Sequence, residues 1–340
     1  MLALTALAAC AARNVETERE TAENMIAIGF SQLGAESDWR IANTESMQSA
    51  FSEEKGYELI YDDAQQKQEN QILAIRSFIQ QEVDYIVLAP VKETDWDTVL
   101  QEAREAGIPV ILVDRMIDTK DDSLYTAWVG SDFKLEAQKA MVWLEEYLEK
   151  TGRSEEEIHI VDIQGTIGAS AQIGRTEGLE EAVKNHKNWH ILAKRSGEFT
   201  QAKGREVMAE LLEKFGDEID VVYCENDNEA FGAIEAIEAS GREAGTEEGQ
   251  ILVISFDTTK AGLADTLSKK IVCNVECNPL HGPRIEELVR RLEAGEQVEK
   301  QVYVKENIFA MDDTVKSVTI DGVKHAVTPV TQEIINARTY

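Results

Sequence analysis

Basic residues are scarce in this chain: 34 Lys plus Arg stand against 64 Asp plus Glu, for a formal net charge of −30. A surface of that sign repels phosphate backbones and anionic headgroups, which argues against a nucleic-acid partner. Cysteine is sparse, four in 340 residues, and no CxxC pair occurs. Cys273 and Cys277 fall in one extended run, where four residues span roughly 13 Å, too far for a bridge. No disulfide framework follows, and Cys224, Cys273 and Cys277 read as buried thiols. The five histidines (His159, His186, His190, His281 and His325) show no metal-ligand spacing with one another or with cysteine. There is no G-x-S-x-G elbow and no HExxH. The loop holding Gly165 and Gly168 lacks both the G-x-G-x-x-G spacing and a Walker lysine. These absences predict no cofactor, no bound metal and no enzyme; a carboxylate pair such as Glu36 and Asp114 on a sugar is the one catalytic alternative.

Long apolar runs are also missing. "LALTALAA" near the N-terminus is about eight residues, too short to span a bilayer and suited to the core of a signal peptide. It ends in Leu7-Ala8-Ala9-Cys10. Small residues before a cysteine resemble a bacterial lipobox, in which Cys10 would be lipidated and become the mature N-terminus. No Lys or Arg precedes the run, and a chance Ala-rich start is the alternative. Residues 11–24, "AARNVETERETAEN", read as a polar tether.

What is abundant is alternation. Short β-branched runs (25–31, 57–61, 83–89, 108–113) are followed by segments with helical spacing (39–54, 68–80, 96–106). After Trp128 the rhythm restarts, with strands at 158–163, 190–193, 221–224, 252–256 and 271–275. Helices are predicted around 133–149, 171–185, 202–214, 229–240 and 260–267. Continuously apolar strands alternating with helices predict parallel sheets covered on both faces. The fold class is therefore α/β, with two doubly wound parallel-sheet domains and crossovers near 129–132, 276–279 and 306–310. The boundaries are 1–24 for signal and tether, 25–129 plus 278–306 for the first domain, and 130–277 plus 307–340 for the second.

In such sheets ligands bind beyond the carboxyl ends of the strands. The residues predicted there are Glu36, Trp39, Arg40, Asp114, Arg115, Arg175, Asn226, Asp227, Asp257 and Glu276. Acids, amides and guanidinium groups make directed, charge-assisted hydrogen bonds, and an aromatic face suits C–H surface. That inventory fits a neutral polyhydroxylated ligand, whose hydroxyls donate to carboxylates and accept from Arg or Asn. Plainer roles stay open for each residue. Asp114–Arg115 fits a simple ion pair, Arg175 a solvated helix position, Asn226–Asp227 a helix cap, Trp39 core packing and Glu276 a hinge.

The segments "GFSQLGAESDWR", "QQKQENQILAIRSFI", "VDYIVLAPV", "GIPVILVDR", "QGTIGASAQIGR" and "FTQAKGREVM" resemble, in this order, type I periplasmic sugar-binding proteins of bacterial ABC importers. They are most similar to the galactofuranose-binding branch. The likeness runs from about Ile26 to Leu280 and fades toward the C-terminus. It implies a clamshell with three hinge segments and a monosaccharide (galactofuranose or a related aldose) held between the lobes by the ten residues above. It further implies a monomer that delivers its sugar to an ABC permease from an extracytoplasmic, lipid-anchored position, periplasmic if not lipidated. A sugar sensor signalling to a membrane kinase or chemoreceptor is the alternative. The chain departs from the pattern at Glu225 and Asn228, after Asp257, and around "ECNPLHG", which bears on the choice of sugar.

Overall fold

A computed structural model describes residues 25–340; Cys10 and the tether lie outside the described residues. The chain runs β1 (Ile26–Gln32), α1 (Asp38–Ala50), β2 (Tyr57–Asp63), α2 (Gln68–Gln80), β3 (Tyr85–Leu88), α3 (Asp97–Glu105), β4 (Val110–Val113) and β5 (Ala127–Gly130). It continues with α4 (Phe133–Lys150), β6 (Ile158–Gln164), α5 (Ser170–Asn185), β7 (Trp189–Ser196), α6 (Gln201–Phe215), β8 (Val221–Cys224), α7 (Asp227–Ala239), β9 (Leu252–Asp257), α8 (Lys260–Leu267) and β10 (Cys273–Glu276). Last come α9 (Gly282–Glu293), β11 (Gln301–Tyr303), β12 (Ile308–Ala310), β13 (Ser317–Ile320), β14 (Val323–Pro329) and α10 (Gln332–Ala337).

The strands form two sheets. One has the order β11-β5-β4-β3-β1-β2 and is parallel throughout. The other has the order β13-β14-β12-β10-β9-β8-β6-β7, parallel from β7 to β10 and mixed beyond it. Central strands such as β4, "VILV", are buried along their whole length, because helices cover both faces. Helix α2 seals its sheet with Ala74, Ile75 and Phe78, which share one face at helical spacing. Helix α9 returns to the first body, where Ile285, Leu288 and Val289 pack against Ile28 and Phe30. The polypeptide thus passes between the two bodies after β5, after β10 and after β11. Residues 308–310, expected to lie on the third crossing, are instead strand β12 of the second sheet, paired antiparallel to β10. No described helix is long and apolar enough to cross a membrane.

Candidate functional site

The carboxyl ends of β1, β4, β6, β8 and β9 face one gap between the two bodies, and helix starts frame it. Ser37 caps α1 by accepting from the Arg40 N–H, and Asn226 caps α7 by accepting from the Glu229 N–H at 2.8 Å. Both caps line the same narrow cavity between the two bodies. Its walls are Glu36, Ser37, Trp39, Arg40, Asp114 and Arg115 from the first body, with Phe133, Ala171, Arg175, Phe199, Asn226, Asp257 and Cys277 opposite.

The lobes are closed on each other. The Asp38 N–H donates to Asn228 Oδ1 at 3.1 Å, and Trp39 Nε1 donates to the Cys277 carbonyl at 2.6 Å. Nearby, the Glu93 N–H reaches the Gly168 carbonyl at 2.9 Å, and the Met116 N–H reaches Ser170 Oγ at 2.9 Å. The Arg115 guanidinium lies 5.1 Å over the Phe199 ring. Trp39, Phe133, Ala171, Phe199 and Cys277 belong to one apolar cluster that spans the gap.

On the first wall, Arg40 binds Asp114 at 2.6 Å and Glu36 at 3.2 Å, and Arg115 reaches Glu36 at 3.5 Å and the Val91 carbonyl at 3.1 Å. Burial works against the Arg40 charge, but Asp114 and Glu36 outweigh it and raise its pKa. Burial and the neighbouring Arg40 bring Arg115 down to about 10, still a cation at neutral pH. Two buried atoms of this wall have no partner: Glu36 Oε2, an acceptor, and Arg115 Nε, a donor. Buried polar atoms are rarely left so, and both residues line the cavity.

On the second wall, Arg175 is held by Glu136 at 2.9 Å and Asp257 at 3.4 Å. Its other bond goes to the Glu225 carbonyl oxygen. Burial opposes the Arg175 charge, but Glu136 and Asp257 raise its pKa well above the ordinary value. Asp257 itself is pushed well up, by burial against the pull of Arg175. Three residues of the lining, Asp114 (φ 64), Phe199 (φ 60) and Asp257 (φ 99), occupy the left-handed region. Two glycines permit it. A Cβ at Gly130 would collide with the Asp114 carbonyl oxygen, and one at Gly165 with the Phe199 ring.

Of the ten residues singled out in the sequence, Glu36, Trp39, Arg40, Asp114, Arg115, Arg175, Asn226 and Asp257 line the cavity. Asn226 both caps and lines, and it also donates to the Phe199 carbonyl at 3.0 Å. Two do not line it. Asp227 is fully buried and accepts four bonds, from Ser255 Oγ, the Thr259 N–H and hydroxyl, and Asn274 Nδ2, between 2.7 and 2.8 Å. It ties α7 to β9, β10 and α8, and burial pushes its carboxyl up to about 6. Glu276 accepts from Arg338 at 2.6 Å, Asn307 Nδ2 at 2.6 Å and the Tyr340 hydroxyl at 3.0 Å, so it anchors the C-terminal segment. Burial alone would raise its carboxyl, but Arg338 and Asn307 bring it below the ordinary range. Sequence reasoning missed Phe133, Phe199, Ala171, Ser37 and Cys277. The signal for Phe199 was available in "SGEFT", a turn sequence directly after a strand. His281 is buried against Asn43 at 2.9 Å, and burial lowers it to about 4.

The periplasmic binding protein domain model matches residues 28–275, which reach into both sheets and include every cavity-lining residue except Cys277. The chain belongs to the periplasmic binding protein family. This binding protein is 40% identical over 294 residues to the galactofuranose-binding protein YtfQ of Escherichia coli, covering 86% of this chain and 89% of that one. A solved Mycobacterium smegmatis structure in complex with β-D-fucofuranose is 42% identical, with a TM-score of 0.79, covering 85% of this chain and 92% of that one. The periplasmic binding protein component of the arabinose ABC transporter of Shewanella sp. ANA-3, bound to L-arabinofuranose, is 36% identical with a TM-score of 0.78, covering 85% and 93%. The fold is that of the type I binding proteins: two parallel-dominated sheets with flanking helices.

Proposed function

We propose that this binding protein captures a furanose sugar, galactofuranose or a related aldose, between its lobes and delivers it to an ABC permease without chemical change. The observation that carries the reading is the unpartnered pair of Glu36 Oε2 and Arg115 Nε in a cavity floored by aromatic rings. A ring hydroxyl donates to the first and accepts from the second, and Asp114, Arg40, Arg175, Asn226 and Asp257 serve the remaining hydroxyls. Trp39, Phe133 and Phe199 cover the C–H faces. Asp227 and Glu276 hold the site's frame. The named sugars of the three relatives are furanoses or their parent sugars, which supports the ring form.

The family's location supports an extracytoplasmic protein, and "LAAC" supports a diacylglyceryl anchor on Cys10. The protein acts as a monomer. The sensor alternative has no observation in its favour. The test is a thermal-shift panel of methyl β-D-galactofuranoside, L-arabinose, D-fucose, D-ribose, D-glucose and D-xylose. A ligand at a hundred times its Kd adds about 2.7 kcal/mol, a rise in Tm of at least about 2 °C for a chain of this size. Shifts with sugars that populate furanose rings are expected; a silent panel, or a shift with glucose alone, overturns the reading.

A further inference from the structure

Behind the second wall, the three passages between the lobes meet at one side chain. Glu306, on the third passage, accepts Ser131 Oγ from the first at 2.6 Å and the Asn278 N–H from the second at 2.8 Å, both at Oε1. Its backbone carbonyl accepts from Lys139 Nζ at 3.2 Å. Carboxylate oxygens of Glu306 and Glu136 and the Cys277 sulfur lie within 4.8 Å of one another. Glu136 is fully buried and gives Oε2 to Arg175, while its Oε1 has no partner. A chain of contacts therefore runs from the hinges through Glu306 and Glu136 to an arginine of the cavity.

The charges around this point do not balance. Helix α4 contributes Glu136 and Lys139, α5 contributes Arg175, the end of β9 contributes Asp257, and the crossings contribute Glu306 and Cys277. Burial holds the Cys277 thiol neutral. On β14, His325 is lowered by burial and by the Lys139 charge, so it adds no cation at neutral pH. Three carboxyl groups face two cations, and one proton is wanted. Placed on Glu306 Oε2, it donates to Glu136 Oε1, the oxygen without a partner, and leaves both bonds at Glu306 Oε1 intact. Burial raises both carboxyls; the Glu136 charge raises Glu306 further, while Arg175 restrains Glu136. A divalent cation at the same point would meet Arg175 and Lys139, so a proton fits the surroundings better.

We propose that closing of the lobes takes up one proton, shared between Glu306 and Glu136, and that Glu306 thereby acts as a positioning residue for Arg175. This rests on the ligand-binding reading above. In the open form Glu306 meets water and titrates as an ordinary glutamate, near 4.3. Its value in the closed form is higher, so ligand is held best below the open-form value. Affinity then weakens as pH rises toward the closed-form value, by at most about tenfold per pH unit.

Titration calorimetry on the full chain tests this, with methyl β-D-galactofuranoside and L-arabinose, from pH 5 to 8, in paired buffers of different ionisation enthalpy. The wild type is expected to take up a substantial fraction of one proton per sugar bound at pH 6 to 7, with Kd rising over that range. Glu306→Gln keeps every hydrogen bond, since its amide N–H donates to Glu136 and its carbonyl accepts from Ser131 and Asn278. It should bind with no proton uptake and a flat Kd. Glu306→Ala should also lack uptake and bind more weakly. Wild-type binding without uptake overturns the proposal, and so does uptake that persists in Glu306→Gln. If no sugar binds, the binding reading fails by itself. Carboxyl ¹³C NMR of a chain held closed by a short thiol-reactive crosslinker between Asp38→Cys and Asn228→Cys, which meet across the gap, then decides: a signal absent from Glu306→Gln that titrates above pH 6 supports the shared proton, and one in the ordinary glutamate range overturns it.

Discussion

On the first wall of the cleft two guanidinium groups, Arg40 and Arg115, face two carboxylates, Glu36 and Asp114. On the second wall one guanidinium, Arg175, faces Glu136 and Asp257, and further buried acids, Asp162, Glu225 and Glu229 among them, lie in the same lobe. The first wall is balanced by fixed charges. The second is balanced only if some of its acids hold protons. Neither oxygen of Asp162 has a partner, and burial together with Glu225 and Glu229 drives its carboxyl well up. Burial pushes Glu225 up to about 8. One closed cleft therefore sets a wall of matched charges against a wall short of positive charge, and desolvation moves a pKa most where no opposite charge is at hand.

The sharpest way to break this contrast is to remove the single cation of the second wall. Arg175→Met strands Glu136 and Asp257, and leaving buried charge unpaired costs about 3–5 kcal/mol. Chemical denaturation should show that loss, and calorimetry a fall in sugar affinity of over about a hundredfold. On the first wall, Arg115→Met leaves Arg40 between both acids. It should cost about 1.5–3 kcal/mol, the worth of a charge-assisted hydrogen bond. Comparable losses from the two variants would refute the asymmetry.

The pH response sharpens it. The folded pKa of Glu225 lies above its unfolded value, near 4.3. Its contribution is complete below that value and is lost as pH climbs through about 8. Melting temperatures should therefore fall between pH 5 and 8, and Glu225→Gln should flatten that limb by an amount on the order of a few kcal/mol. His281 has the opposite sign. Its folded pKa is lowered to about 4, so its contribution is complete above about 6.5 and vanishes as pH falls through 4. His281→Asn should flatten the acid limb and leave the alkaline one. The smallest effect is expected from Trp39→Phe. It loses the bond from Nε1 to the Cys277 carbonyl, worth about 1 kcal/mol, or a few-fold in Kd measured by calorimetry.

Much of the architecture was legible in local pattern. Helices α2 and α8 and strand β8 begin and end where apolar spacing put them, at Gln68–Gln80, Lys260–Leu267 and Val221–Cys224. Other boundaries moved by a residue or a few, as at β10, which starts at Cys273 because 271–272 lie in the preceding turn. Strand β5 and everything after β10 went unread. Strands β11 and β12 are three residues each, too short for periodicity to register, and exist because β5 and β10 offer them an edge. In α9 the apolar stripe is present at Ile285, Leu288 and Val289, and attention to its spacing would have found it.

At the site, a strand-end argument selects residue types but not the side to which each side chain turns. Asp227 sits at the right strand end and points inward to Ser255, Thr259 and Asn274, the hydroxyls and amide that keep a buried carboxylate solvated. Glu276 sits beside the cleft and is claimed by Arg338 and Tyr340, from a segment more than 60 residues along the chain. Phe133 and Phe199 read as ordinary core aromatics until the two lobes meet. Composition and local spacing by themselves determined the α/β alternation, the acid-and-arginine inventory at the strand ends and the absence of catalytic or metal motifs, because each is a property of neighbouring residues. Only the tertiary structure decided which of those groups face the cavity, which are spent holding the frame, and where the second wall is left short of positive charge. Those outcomes depend on burial and on partners brought from distant parts of the chain.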